Sequence, residues 1–98
     1  MASITHIVLV AWKVGQQAQA EATIRSSIRG FSGTIPGVQS VVEGHSSSPE
    51  GLDEGFDYGF VVSLVNARAR DAYLDDPRHR PVAEVINAAA SRIAVFDI

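Results

Sequence analysis

Two rhythms of apolar residues alternate along this chain. In "THIVLVAWK" (residues 5–13) the period is two: His6, Val8, Val10 and Trp12 share one face, and Ile7, Leu9 and Ala11 share the other. That period predicts a β-strand, and two apolar faces predict cover on both sides. In "GQQAQAEATIRSSIRGFSGTIPGV" the spacing lengthens. Ala20, Ile24, Ile28, Phe31 and Ile35 form one stripe of a helix, which Gly33, Pro36 and Gly37 bring to an end. A weaker alternation in "VQSVVEG" predicts a second strand, and the polar run "HSSSPEGLDEG" predicts an exposed loop.

"FDYGFVVSLV" restores strict alternation. Phe56, Tyr58, Phe60, Val62 and Leu64 lie on one face, opposite Asp57, Gly59, Val61, Ser63 and Val65. A short helical turn, "ARARDAYL", runs to Pro77. A second helix follows with Val82, Val85, Ile86 and Ala89 on its apolar side and Pro81 in its first turn, where a missing N–H is harmless. "SRIAVFDI" closes the chain as a fourth strand. The order βαββαβ predicts an α+β fold of ferredoxin-like type over residues 1–98, a single domain with both helices on one face of an antiparallel sheet. The other face would then leave Ile7, Leu9, Ala11, Val61, Val65, Ala94 and Phe96 in water. Packing against a second copy is the simplest remedy, so a homodimer is expected, two sheets closed into a dimeric α+β barrel.

Composition adds exclusions. The 98 residues carry a net charge of -3, with 46% apolar and 19% charged positions, which describes an ordered globular protein with no bias toward nucleic acid. Cysteine is absent, removing disulfides, thiolate metal sites and cysteine nucleophiles. No stretch approaches the roughly 20 apolar residues of a membrane span. No signal peptide is evident, so a cytoplasmic location is expected. Asp75 and Asp76 lack a third ligand at a recognisable spacing, so no metal site is expected there.

Candidate chemistry concentrates in "YLDDPRHRP" (residues 73–81). On one unbroken helix Tyr73 and His79 would point roughly 240° apart. Pro77 forbids that continuity, and the turn it forces can bring phenol and imidazole together. A neutral imidazole suits a general base near pH 7, and a phenol suits a donor to a carbonyl or developing oxyanion. The sheet face carrying His6, Val8, Val10 and Trp12 also carries Tyr58, Phe60 and, on the last strand, Asp97. Apolar walls with a few convergent polar groups are the usual form of a small-molecule site. Plainer readings stand beside these: a solvated His79 in a helix-entry turn, Tyr73 and His6 as core residues, Trp12 as core or pocket wall, and Asp97 as an end-of-strand carboxylate. His45 is expected to be exposed and without a role.

The stretches "ITHIVLVAWK", "IPGV", "SPEGLDEGFDYGFVV", "RDAYLDDPRHRPV" and "IAVFDI" resemble, in order and over nearly the whole chain, the stress-responsive α/β-barrel domain (Dabb) family. That resemblance implies a dimeric α+β barrel. Many members are known only as stress-induced proteins. A plant branch typified by olivetolic acid cyclase closes linear polyketides by aldol condensation without a metal, using the tyrosine and histidine of a Y-x-x-H-P-x-H segment. The resemblance places Tyr73 and His79 at those two positions, His6 at the branch's first-strand histidine and Asp97 at its last-strand aspartate. Asp76 replaces the first histidine of the segment, and Tyr58 replaces a pocket histidine. The implied function is a cofactor-independent cyclase or lyase acting on a small apolar or polyketide-like ligand. There His79 would be the base, Tyr73 the donor and His6 a further catalytic group, with Trp12, Tyr58, Phe60 and Asp97 binding substrate. The alternatives are a non-catalytic stress-responsive or ligand-binding dimer, and a relative of cofactorless monooxygenases or haem-degrading barrels.

Overall fold

A computed structural model describes residues 2–98. Its elements are β1 (Ile4–Trp12), α1 (Gln17–Arg29), α2 (Phe31–Thr34), β2 (Val38–His45), β3 (Tyr58–Leu64), α3 (Ala67–Asp75), α4 (Arg80–Ala89) and β4 (Ala90–Asp97). The four strands form one antiparallel sheet in the order β2-β3-β1-β4, with the first and last strands of the chain side by side. This is the ferredoxin-like α+β arrangement expected from the pattern.

Register fixes what each face presents. Val41, Val62, His6 and Asp97 form one row across the sheet; Glu43, Phe60, Val8 and Val95 form the next; His45, Tyr58, Val10 and Ile93 form a third. Because side chains alternate, all three rows belong to one face. On it Val8, Val10, Tyr58, Phe60 and Val62 are buried with Ile24, Ile28, Phe31, Tyr73, Val82 and Ile86 from the helices. The opposite face carries the row Val42, Val61, Ile7 and Phe96, where Val42 is 69% and Phe96 65% exposed.

Two boundaries differ from the sequence reading. The apolar stripe from Ala20 to Ile35 is not one helix: α1 stops at Arg29, and the Gly30 N–H divides between the Ser26 and Ser27 carbonyls. The stripe continues on the short α2, so Phe31 and Ile35 are still buried. Strand β3 begins at Tyr58 rather than Phe56. Phe56 lies in the preceding turn, its N–H bonded to the Asp53 carbonyl and its ring covered by the Arg92 guanidinium at 4.5 Å. At the start of β2, Gly37 has φ +86, and a Cβ there would come within 2.6 Å of the Ala69 Cβ on α3. Only glycine permits that backbone and that approach together.

Candidate active site

Helix α3 is opened by Asn66, whose side chain accepts from the Ala69 N–H at 2.8 Å. It ends at Asp75, before Asp76 turns extended ahead of Pro77. The Asp76 carbonyl then accepts from both the His79 and Arg80 N–H groups, while its carboxylate accepts from the Arg78 N–H at 2.8 Å. This tight turn restarts the chain as α4, with Pro81 near its N-terminus. The turn brings the Tyr73 and His79 rings together, with centroids 4.5 Å apart. Arg78, bound to Asp76 at 2.7 Å, and the exposed Asp75 form its polar exterior.

His6 comes from β1. Its cross-strand partner in the register is Asp97, and the His6 Nδ1–H donates to Asp97 Oδ1 at 2.6 Å. The second carboxylate oxygen accepts from Arg70 Nη1 at 2.8 Å, and Arg70 Nε also donates to Asp71 at 2.9 Å. Burial opposes the charge on Asp97, but the hydrogen bonds from Arg70 and His6 win and hold its carboxyl below the usual carboxylate range. Arg70 and Tyr73 are three residues apart on α3, so both face the sheet. The His6 and Tyr73 rings meet edge to face at 5.7 Å.

These groups border a cavity of about 450 Å³ between the sheet, α3 and α4, lined by His6, Asp97, Arg70 and His79 among apolar walls that include Phe60 and Ile86. Burial pushes the His79 imidazole below its ordinary pKa, and a hydrogen bond to the Leu74 carbonyl at 3.2 Å offsets part of that effect. The ring is therefore neutral at pH 7. With Nδ1–H given to Leu74, the lone pair resides on Nε2. Tyr73 does not line the cavity. It is 0% exposed, packed against the His6 and His79 rings one layer back, and its hydroxyl is buried without a hydrogen-bond partner. Burial also pushes its pKa above the ordinary tyrosine value, so the phenol stays protonated.

Two residues expected beside this pair lie elsewhere. Tyr58 stands four positions along the sheet from the His6 row, roughly 13 Å at about 3.3 Å per residue. There it stacks on Trp12 and donates to Glu43 Oε2 at 2.9 Å. Trp12 donates to Glu21 Oε2 at 2.9 Å, and the Glu21 carboxylate also accepts from His45 Nε2 at 2.6 Å. Glu43 further takes two bonds from Arg25 and one from Arg29, and the Arg25 bonds are the main reason its pKa falls to about 2. Trp12 and Tyr58 thus belong to a partly buried polar clamp joining α1 to β1, β2 and β3. His45 is exposed as expected, yet it holds Glu21.

The pattern gave no warning of Arg70. The available signal was its i, i−3 relation to Tyr73. Glu21 and Glu43 were equally legible as acids on otherwise buried faces. Among the described residues, no group of three or more histidines and acids is placed to hold a metal ion.

Residues 4–98 match the family model described as Stress responsive A/B Barrel Domain. The chain belongs to that family. This A/B barrel domain is also similar to solved structures. One is a dimeric ferredoxin-like protein of unknown function from Jannaschia sp. CCS1, with TM-score 0.90, 21% identity, and coverage of 99% of this chain and 98% of the other. Another is a dimeric ferredoxin-like protein of unknown function from Thermobifida fusca, with TM-score 0.82, 19% identity, and coverage of 98% and 89%. A third is hydroxynitrile lyase from Passiflora edulis, with TM-score 0.85, 16% identity, and coverage of 98% and 91%. Among curated protein sequences, none matches the domain. At these identities the structural likeness speaks for the fold.

Proposed function

We propose that this protein is a cofactor-independent enzyme of cyclase or lyase type that removes a proton α to a carbonyl in a polyketide-like substrate. His79 Nε2 takes the proton, and the electron pair of the C–H bond moves onto the carbonyl oxygen as an enolate forms. The Tyr73 hydroxyl donates to that oxygen. In a cyclisation the enolate carbon then attacks a second carbonyl of the same molecule, and protonated His79 returns its proton to the new alkoxide. His6, oriented by Asp97, is the further catalytic group, and Phe60 supplies apolar wall.

One observation carries this reading: the Tyr73 hydroxyl is buried and unpartnered beside a neutral, half-buried His79. An unsatisfied buried hydroxyl costs about 1–3 kcal/mol, and a ligand oxygen that reaches it recovers much of this. Because Tyr73 is one layer back, the carbonyl must enter between the His6 and His79 rings. A structural relative being a hydroxynitrile lyase is compatible with lyase chemistry in this fold, though folds host many chemistries.

The working unit in this proposal is a homodimer. The apolar row of Val42, Val61, Ile7 and Phe96 is open in the single chain, and solved structures of the same fold are described as dimeric.

A crystal structure with benzoylacetone tests the site. The expected complex has one diketone oxygen accepting from the Tyr73 hydroxyl and the central carbon about 3–3.5 Å from His79 Nε2. A diketone bound elsewhere, or a Tyr73 hydroxyl still unpartnered beneath it, refutes the proposal.

A further inference from the structure

Three charged side chains set the electrostatics of the cavity. Arg70 is the one lysine or arginine among its described lining residues, and it is already committed, Nε to Asp71 and Nη1 to Asp97. One guanidinium thus faces two carboxylates. The start of α4, next to His79, offers little to an anion either. The His79 and Arg80 N–H groups are both given to the Asp76 carbonyl, and Pro81 has none. Besides His6, His79 and one uncharged amide, Asn87, the walls are hydrocarbon, including Val8, Phe60, Ile86 and Val95.

Building on the proton-abstraction reading, we propose that the cavity selects uncharged carbonyl compounds with an apolar tail and rejects carboxylates of the same shape, with Asp71 the specificity-determining residue. A carboxylate entering beside Asp97 meets the net negative charge left by one guanidinium shared between two carboxylates, in a partly desolvated space where like charges repel more strongly than in water. A ketone, aldehyde or amide meets no such repulsion. Asp71 matters because it occupies Arg70 Nε, which would otherwise be open to an acidic substrate.

The test is calorimetric binding of three ligands of nearly identical shape to the intact protein at pH 7.5: 2-octanone, heptanamide and heptanoate. The ketone and amide are expected to bind within a few-fold of each other, and heptanoate at least about tenfold more weakly. Asp71→Asn should narrow the gap by strengthening heptanoate binding while leaving 2-octanone unchanged. Equal binding of heptanoate and 2-octanone, an unchanged gap in Asp71→Asn, or no binding of any of the three overturns the proposal. Binding is read without turnover, so a failure of the catalytic reading is separable. If His79→Ala keeps full activity while heptanoate is still rejected, the base assignment fails and the selectivity stands.

Discussion

Replacing Tyr73 with phenylalanine should make the protein more stable and less active. The Tyr73 side chain is 0% exposed and its hydroxyl has no partner among the described residues. Burying a hydroxyl without a hydrogen bond costs about 1–3 kcal/mol, whereas the oxygen returns only a few dispersion contacts of about 0.1–0.2 kcal/mol each. Tyr73→Phe keeps the ring packed against His6, Phe31 and His79 and removes the penalty. A gain of about 1 kcal/mol is expected, which for a domain of this size raises Tm by about 4–8 °C. Thermal and urea unfolding should be compared at one protomer concentration, since association shifts apparent stability. The same variant should lose about 10²–10³-fold in enolisation rate, the usual loss on removing one oxyanion donor. A variant at least 1 kcal/mol less stable would mean that the hydroxyl is already satisfied, for instance by a water. Unchanged turnover would remove Tyr73 from the mechanism.

Other outcomes follow from the same structure. Glu43→Gln should cost about 1–3 kcal/mol at pH 7, discounted because its partner Arg25 is 33% and Arg29 57% exposed. The folded pKa of Glu43 lies below its reference of 4.5, at about 2, so its contribution is full above pH 4.5 and fades as pH falls toward 2. The stability gap between Glu43→Gln and the parent in urea titrations should therefore shrink between pH 5 and pH 2. Phe96→Asp on the open face should dissociate the proposed dimer. Losing about 1.5–3 kcal/mol of burial per copy, twice in a two-fold interface, weakens association by about 10²–10⁴-fold, measurable by light scattering across dilutions. A dimer as tight as the parent's would place the interface elsewhere.

The fold was legible because most strands carry a strict period of two and the order of elements leaves few topologies. The convergence of Tyr73 and His79 was also readable, since Pro77 cannot continue a helix and a short turn leaves the rings little room to diverge. The break at Gly30 was not readable. An apolar stripe reports which side is buried and is blind to a helix that stops and restarts in phase. Face assignment likewise does not say how far along a strand two residues lie. Trp12 and Tyr58 share a face with His6, yet Tyr58 sits four residues along β3 from the His6 row, roughly 13 Å away, and Trp12 six residues along β1, roughly 20 Å away. They answer to Glu43 and Glu21 instead. Arg70 was hidden for a different reason. On a short, charge-rich helix its i, i−3 relation to Tyr73 is the one local signal, and that spacing alone does not separate an arginine bound to a partly buried partner from a solvated one.

The most direct test of His79 as the base is solvent deuterium exchange at the α-carbon of 2-octanone, followed by NMR in D₂O across pH. Exchange should be accelerated by the parent protein and remain fast to below pH 6.5, because burial keeps the His79 imidazole neutral below its ordinary value. His79→Ala should fall to the buffer rate with its melting curve and oligomeric state unchanged. Exchange undiminished in His79→Ala would contradict the account at its centre.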